Sequence, residues 1–188
     1  MKSISLVATI DSGVYAKSAT TGDAHLLQPS DLLYANLNTT EISATKIHLT
    51  RSQERHLLQP GDILLIAKGL THACFLLPDL EVNAVASTAF FVIRPVKSSL
   101  LPEYLCWYLN LPATQSRLAT IAKGTSIPAL TIQDFSQFMI QFPTITIQHA
   151  IVTLARMQQR KKELEATLVK HADTLFQHQL LTLANQSA

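Results

Sequence analysis

Three observations predict an α+β fold. Short apolar runs bounded by turn residues fill the first ninety-odd residues. After Pro95 the apolar spacing changes to steps of three and four. From Ile147 to Leu183 no Pro or Gly interrupts what reads as one helix. The expected architecture is a β-rich domain with short helices over residues 1–145, followed by one long C-terminal helix over 146–188.

The strands come first. Ile63-Leu-Leu-Ile-Ala67 reads as a short buried strand, introduced by the turn Gln59-Pro-Gly-Asp62. Cys74 to Leu77 reads as a second strand, turned by Pro78-Asp79. Ser87 to Arg94 reads as a third and stops at Pro95. His25-Leu-Leu-Gln-Pro-Ser-Asp-Leu-Leu33 returns as His56-Leu-Leu-Gln-Pro-Gly-Asp-Ile-Leu64. Both copies are expected to be one local device, a Pro-Ser/Gly-Asp turn that delivers the chain into a buried strand.

The helices follow. Pro102 suits a first turn, and Tyr104, Leu105, Tyr108 and Leu109 fall on one face. Pro112 separates a second helix with Leu118, Ile121 and Ala122 on its apolar face and Gly124 as its stop. Thr131-Ile-Gln-Asp134 resembles a capping box and precedes a strand from Phe138 to Phe142. In the long helix, Ile147, Ile151, Leu154, Met157, Leu164, Leu168, Ala172 and Leu175 mark one stripe. A helix over 147–183 would be roughly 55 Å long, a length that predicts coiled-coil pairing. Gln158-Gln-Arg-Lys-Lys-Glu163 interrupts the stripe and predicts a seam that shifts face or meets a different partner.

Composition sets further bounds. At 188 residues with 47% apolar side chains, the core is large or some apolar surface meets another chain. Residues 1–145 hold ten Lys/Arg and ten Asp/Glu, so the net charge of +2 comes from the C-terminal helix. DNA binding would therefore rest on local charge placement. Cys74 and Cys106 sit in apolar runs and read as buried free thiols. With no signal peptide pattern and no run long enough to span a membrane, a cytoplasmic protein is expected.

The residues offer no recognisable catalytic constellation. There is no His-Glu-x-x-His, Cys-x-x-Cys or Gly-x-Ser-x-Gly, and no glycine-rich phosphate loop. Pro78-Asp-Leu-Glu81 lacks the lysine of a nuclease carboxylate motif, since Asn83 stands in its place. No catalytic residue, metal or cofactor is expected.

The order of elements carries a resemblance. Leu101-Pro-Glu-Tyr-Leu-Cys-Trp-Tyr-Leu-Asn110 looks like the helix that follows the sheet in specificity subunits of type I restriction–modification systems. Gly124-Thr-Ser-Ile-Pro-Ala-Leu130 resembles that family's Gly-Ser-Thr-x-Pro-Asn-Leu loop. Phe142-Pro-Thr-Ile-Thr-Ile-Gln-His-Ala-Ile151 is similar to its Pro-Pro-Leu-x-Glu-Gln-x-x-Ile start of a long helix. Pro60 to Leu65, Lys68-Gly69 and a strand from Asn83 to Pro95 fit its target-recognition domain. The chain departs at Ala129, where the family has Asn, and at Thr144 and Ile147, in place of a Pro and a Glu.

The resemblance implies a half-length, non-catalytic DNA reader with one target-recognition domain and one helix. Such a chain would homodimerise through Ile147, Ile151, Leu154, Met157, Leu164, Leu168 and Leu175 to read a bipartite site. It would dock methyltransferase subunits and a restriction subunit. Candidate contacts to double-stranded DNA, expected on loops, are Lys46, Arg51 and Arg55; Lys68, Thr71 and His72; and Lys123, Thr125 and Ser126. The alternative is an adaptor of the same fold that dimerises without binding DNA, which the neutral charge of residues 1–145 favours.

Overall fold

A computed structural model describes residues 1–33, 45–96, 99–124 and 126–186. In chain order the elements are β1 (Lys2–Ser3), β2 (Ala8–Ser12), β3 (Ala24–Leu27), α1 (Pro29–Leu33) and β4 (Thr45–Ile47). They continue with β5 (Ile63–Ile66), β6 (Cys74–Leu76), β7 (Ala84–Ala86) and β8 (Phe90–Pro95). The remainder is α2 (Pro102–Leu109), α3 (Pro112–Ile121), α4 (Ile132–Ser136), β9 (Met139–Ile140) and α5 (Ile145–Gln186). The chain divides into two compact units, Met1–His149 and Ala150–Ala188.

Two sheets carry the first unit. One is antiparallel with strand order β2-β8-β5-β6; the other has order β4-β3-β7, with β3 and β7 parallel. Leu64, Ile66, Phe90 and Val92 of the first sheet share a core with Leu27, Ala84 and Ala86 of the second. On the other face of β8, Phe91 meets the ring of Phe135 from α4 at 5.9 Å between centroids. Strand β5 is therefore buried on both faces, which explains a run of apolar residues with no alternation. Ala24, Leu26, Ile47 and Val85 form a smaller cluster on the outer side of the second sheet.

Three expectations need correction. Ser87 to Arg94 is not one strand. Ser87 donates to Leu27 and Phe90 donates back to Ser87, so residues 87–89 turn the chain from β7 in one sheet to β8 in the other. The strand expected from Phe138 to Phe142 shrinks to Met139–Ile140, paired with Lys2–Ser3. The two echo segments share a device but not an outcome. Asp31 accepts the Gln28 amide at 2.7 Å and Asp62 accepts the Gln59 amide at 2.8 Å. In the second copy Gly61 takes φ +88 and the chain enters β5. In the first copy Ser30 occupies that place, a left-handed turn is disfavoured, and the chain continues right-handed into α1.

Side chains close the sheet. Asp62 binds Arg94 through two hydrogen bonds of 2.8 and 3.0 Å, and Arg94 also donates to the Leu57 carbonyl. The Asp62 carboxylate holds the guanidinium pKa above its ordinary value. Strand β6 is an edge, and its outward backbone groups meet amide side chains instead of a strand. Asn110 accepts from the Cys74 N–H at 2.9 Å and donates to the Cys74 carbonyl at 2.8 Å. Gln115 does the same for His72, at 3.3 and 2.8 Å. Such capping blunts an edge that would otherwise template pairing with another chain. Cys74 is buried beside the half-buried Cys106, whose thiol burial pushes up to about 12.

Gln148, in the first turn of α5, is fully buried. Its amide accepts from the Leu101 N–H at 2.9 Å and donates to the Ser99 and Pro143 carbonyls at 3.0 and 2.9 Å. Replacing it leaves three part-buried backbone groups without this partner. Gln148→Leu is expected to lower the unfolding free energy by about 3 kcal/mol in urea titrations. A change within about 0.5 kcal/mol would mean that water or a shifted neighbour replaces the amide.

Candidate nucleic-acid interface

The nine candidate residues fall into two groups that the fold keeps separate. The first borders the three-stranded sheet. Lys46 is exposed, but it lies on strand β4 opposite His25, not on a loop as expected. Arg51 is exposed on a turn held by side chains. The Gln53 carbonyl accepts from the backbone and hydroxyl of Thr50, at 3.0 and 2.9 Å, while its amide donates to Tyr15 at 2.9 Å. Asp23 accepts the Leu49 amide at 2.9 Å, and that bond lowers the carboxyl pKa. Arg55 is exposed and donates to the His56 ring at 3.2 Å. It lines a cleft of about 280 Å³ with Asp11, His56, Val92 and Arg94.

The second group is brought together by backbone pairing. Ala129 bridges to Lys68 on one side and to Lys123 on the other. Gly69 donates to the Pro128 carbonyl at 2.9 Å, and Leu130 donates to Ala67 at 2.8 Å. The loop after β5 and the loop after α3 are thus hydrogen-bonded into one junction. Ala129 acts through its backbone, so its short side chain does not disturb the arrangement. Gly124 takes φ +117, and a Cβ there would stand 2.9 Å from the Ile127 carbonyl oxygen. Lys68, Thr71, Lys123 and Ser126 are exposed at this junction. Thr125 lies outside the described residues.

His72 differs from expectation. It is 2% exposed, with Nδ1 2.9 Å from the Ile66 carbonyl and its backbone held by Gln115. The ring packs inside the domain and presents nothing to a ligand. Its contact with Gln115 spans 43 positions, so no local signal could reveal it. Two residues the sequence reading passed over, Leu70 and Ile127, are 86% and 68% exposed on the same junction.

The long helix presents its own candidate surface. Ile147, Leu154, Leu168 and Leu175 recur at multiples of seven, with Met157 and Leu164 three residues after the corresponding steps. Ile147, Leu154, Met157, Leu164, Leu168 and Leu175 are each at least half exposed within the chain. Ile151 is partly buried. In this heptad frame only Lys161 of the polar run Gln158–Glu163 occupies the seam. Lys161 is the polar step of the seam within that run, and His171 and His178 fall where the Met157–Leu164 spacing continues. Lys161 faces Glu165 along the helix at 3.6 Å. Val169, Phe176 and Leu180 form a second exposed row on another side. Among the described residues no helix is long and apolar enough to cross a membrane.

Lys123 is not a free cation. It pairs with Asp134 at 2.7 Å, and Thr131 both caps the Asp134 amide and donates to its carboxylate. The lysine first, then the threonine hydroxyl, hold the Asp134 pKa below its ordinary value. The pair's contribution is present above the ordinary carboxylate range and fades as pH falls through the lowered value. Lys123→Ala is expected to raise the Asp134 midpoint in an NMR titration. An unchanged midpoint would leave Thr131 as the dominant partner.

Comparison with known proteins adds the family. A family model described as "Type I restriction modification DNA specificity domain" matches residues 31–170. Among solved structures, the S subunit of a type I restriction–modification system from M. genitalium is 16% identical with a TM-score of 0.59. It aligns over 88% of this chain and 40% of its own. The HsdS subunit from Thermoanaerobacter tengcongensis is 20% identical with a TM-score of 0.61, over 87% and 38%. A chain from a study of type I R-M complex assembly and conformational transition is 19% identical with a TM-score of 0.65, over 86% and 38%. These likenesses establish the fold, and the chain spans about two fifths of the length of each. Comparison with curated protein sequences gave no match. With well over half its length matched by the family model, and with the fold of the S subunits, this chain belongs to the type I restriction modification DNA specificity domain family.

Proposed function

We propose that the chain is a non-catalytic DNA-reading subunit of a type I restriction–modification system. Residues 1–145 act as a target-recognition domain and residues 146–188 as a pairing helix. Two copies join along Ile147, Ile151, Leu154, Met157, Leu164, Leu168 and Leu175, and each reads one half of a bipartite site. Two-fold pairing makes that site an inverted repeat with a fixed spacer. Methyltransferase subunits dock on the paired helices, where Val169, Phe176 and Leu180 offer a second apolar row, and a restriction subunit joins the same assembly.

The observation that carries this reading is the exposed heptad seam on a chain of this family. Such a stripe is unfavourable in water and calls for a second helix. Lys46, Arg51, Arg55, Lys68 and Lys123 would hold phosphates, which position the domain. Thr71 and Ser126 would approach base edges. One observation favours a different reading. The equal count of cationic and anionic residues over 1–145 suits an adaptor that dimerises without touching DNA.

Titration with random-sequence duplex DNA at low salt separates the two. The DNA reader binds, and its affinity falls steeply with salt. Lys68→Ala and Lys123→Ala should each weaken binding and reduce the slope of log affinity against log salt by about 0.9. No binding at low salt favours the adaptor. Unchanged affinity and slope in both variants would remove the Ala129 junction from the footprint.

A further inference from the structure

Leu70 and Ile127 call for an explanation that folding does not supply. They are 86% and 68% exposed, on a junction whose backbone is fixed by the Lys68–Ala129 and Lys123–Ala129 bridges. Leu70 follows Gly69 and Ile127 precedes Pro128, and Gly69 donates to the Pro128 carbonyl, so the two side chains belong to the two loops joined at this junction. Two bare aliphatic side chains therefore stand exposed on the two joined loops. Lys68, Lys123, Thr71 and Ser126 are exposed on the same loops. Asp134 is the carboxylate at hand, and Lys123 already engages it.

We infer that Leu70 and Ile127 are specificity-determining residues that contact thymine methyl groups in the major groove. The inference rests on the DNA-reading proposal above. The only apolar feature on a base edge in that groove is the thymine C5-methyl. An aliphatic pair beside two cations matches it. The lysines meet phosphates on either side of the groove, and the aliphatic carbons meet the methyls between them. A protein partner fits this pair less well. A stable protein interface needs roughly 800 Å² on each side, and two aliphatic side chains ringed by lysines and hydroxyls supply a small part of that. The half-site read by this domain is thus expected to contain at least one A·T pair whose thymine is read through its methyl.

The test uses the full chain, alone and with a methyltransferase partner, against a pool of randomised duplexes. The tightest selected duplex is then remade with each thymine replaced in turn by uracil, which removes only the methyl. One or two replacements should weaken binding by the unsubstituted chain about fourfold each, the worth of one buried methyl. The Leu70→Ala/Ile127→Ala variant should bind the thymine duplex more weakly and show no difference between thymine and uracil. Its thermal midpoint should match that of the unsubstituted chain, since both side chains are exposed. A variant that keeps the same sequence preference and the same thymine dependence overturns the inference. So does a variant that keeps its DNA affinity but loses capture of the methyltransferase, because the pair is then a protein surface. If the unsubstituted chain enriches no sequence, the DNA-reading proposal falls and this inference falls with it.

Discussion

A single buried amide organises the start of the long helix. Gln148 sits in the first turn of a 42-residue helix whose later turns are mostly exposed, yet it is itself fully buried. It satisfies Leu101 at the start of α2, Ser99 before it, and Pro143 at the end of the preceding segment. Two stretches of irregular backbone are closed by one side chain. Backbone polar groups shielded from water without partners are costly, so these bonds favour the packed arrangement of both stretches. Asn110 and Gln115 repeat the chemistry at the edge strand β6. Amide side chains thus do for this domain what further strands do for larger sheets.

Charge follows the same logic. Four of the domain's carboxylates are turned to structural work. Asp23, Asp31 and Asp62 each accept a backbone N–H, and Asp62 and Asp134 each hold a cation. Among the described residues no ion pair joins Lys46, Arg51 or Lys68 to a carboxylate. A domain neutral in total can therefore present basic groups locally, and such placement governs contact with a phosphate backbone more than net charge does.

Much of this was legible in the residues. The apolar run at Ile63, the prolines opening α2 and α3, the cap at Thr131 and the uninterrupted helix each carry a local physical signal. The family resemblance joined them in order. Other features had no local signal. The turn at residues 87–89 reads as strand because Ser, Thr and Ala do not break one, and only the hydrogen bonds to Leu27 and Ser87 divide it. His72 reads as a surface residue because its partner Gln115 is far along the chain. The convergence of Lys68 and Lys123 depends on Ala129, a residue with no distinguishing chemistry of its own. The polar run in the long helix looks like a break until the heptad frame shows that only Lys161 enters the seam.

The central claim is that the seam on the long helix exists to meet a second copy of itself. Sedimentation equilibrium of the full chain at micromolar concentration measures this most directly. A dimer, reduced to monomer by the paired change Leu164→Glu/Leu168→Glu, is the predicted result. A strict monomer at the same concentration would contradict it.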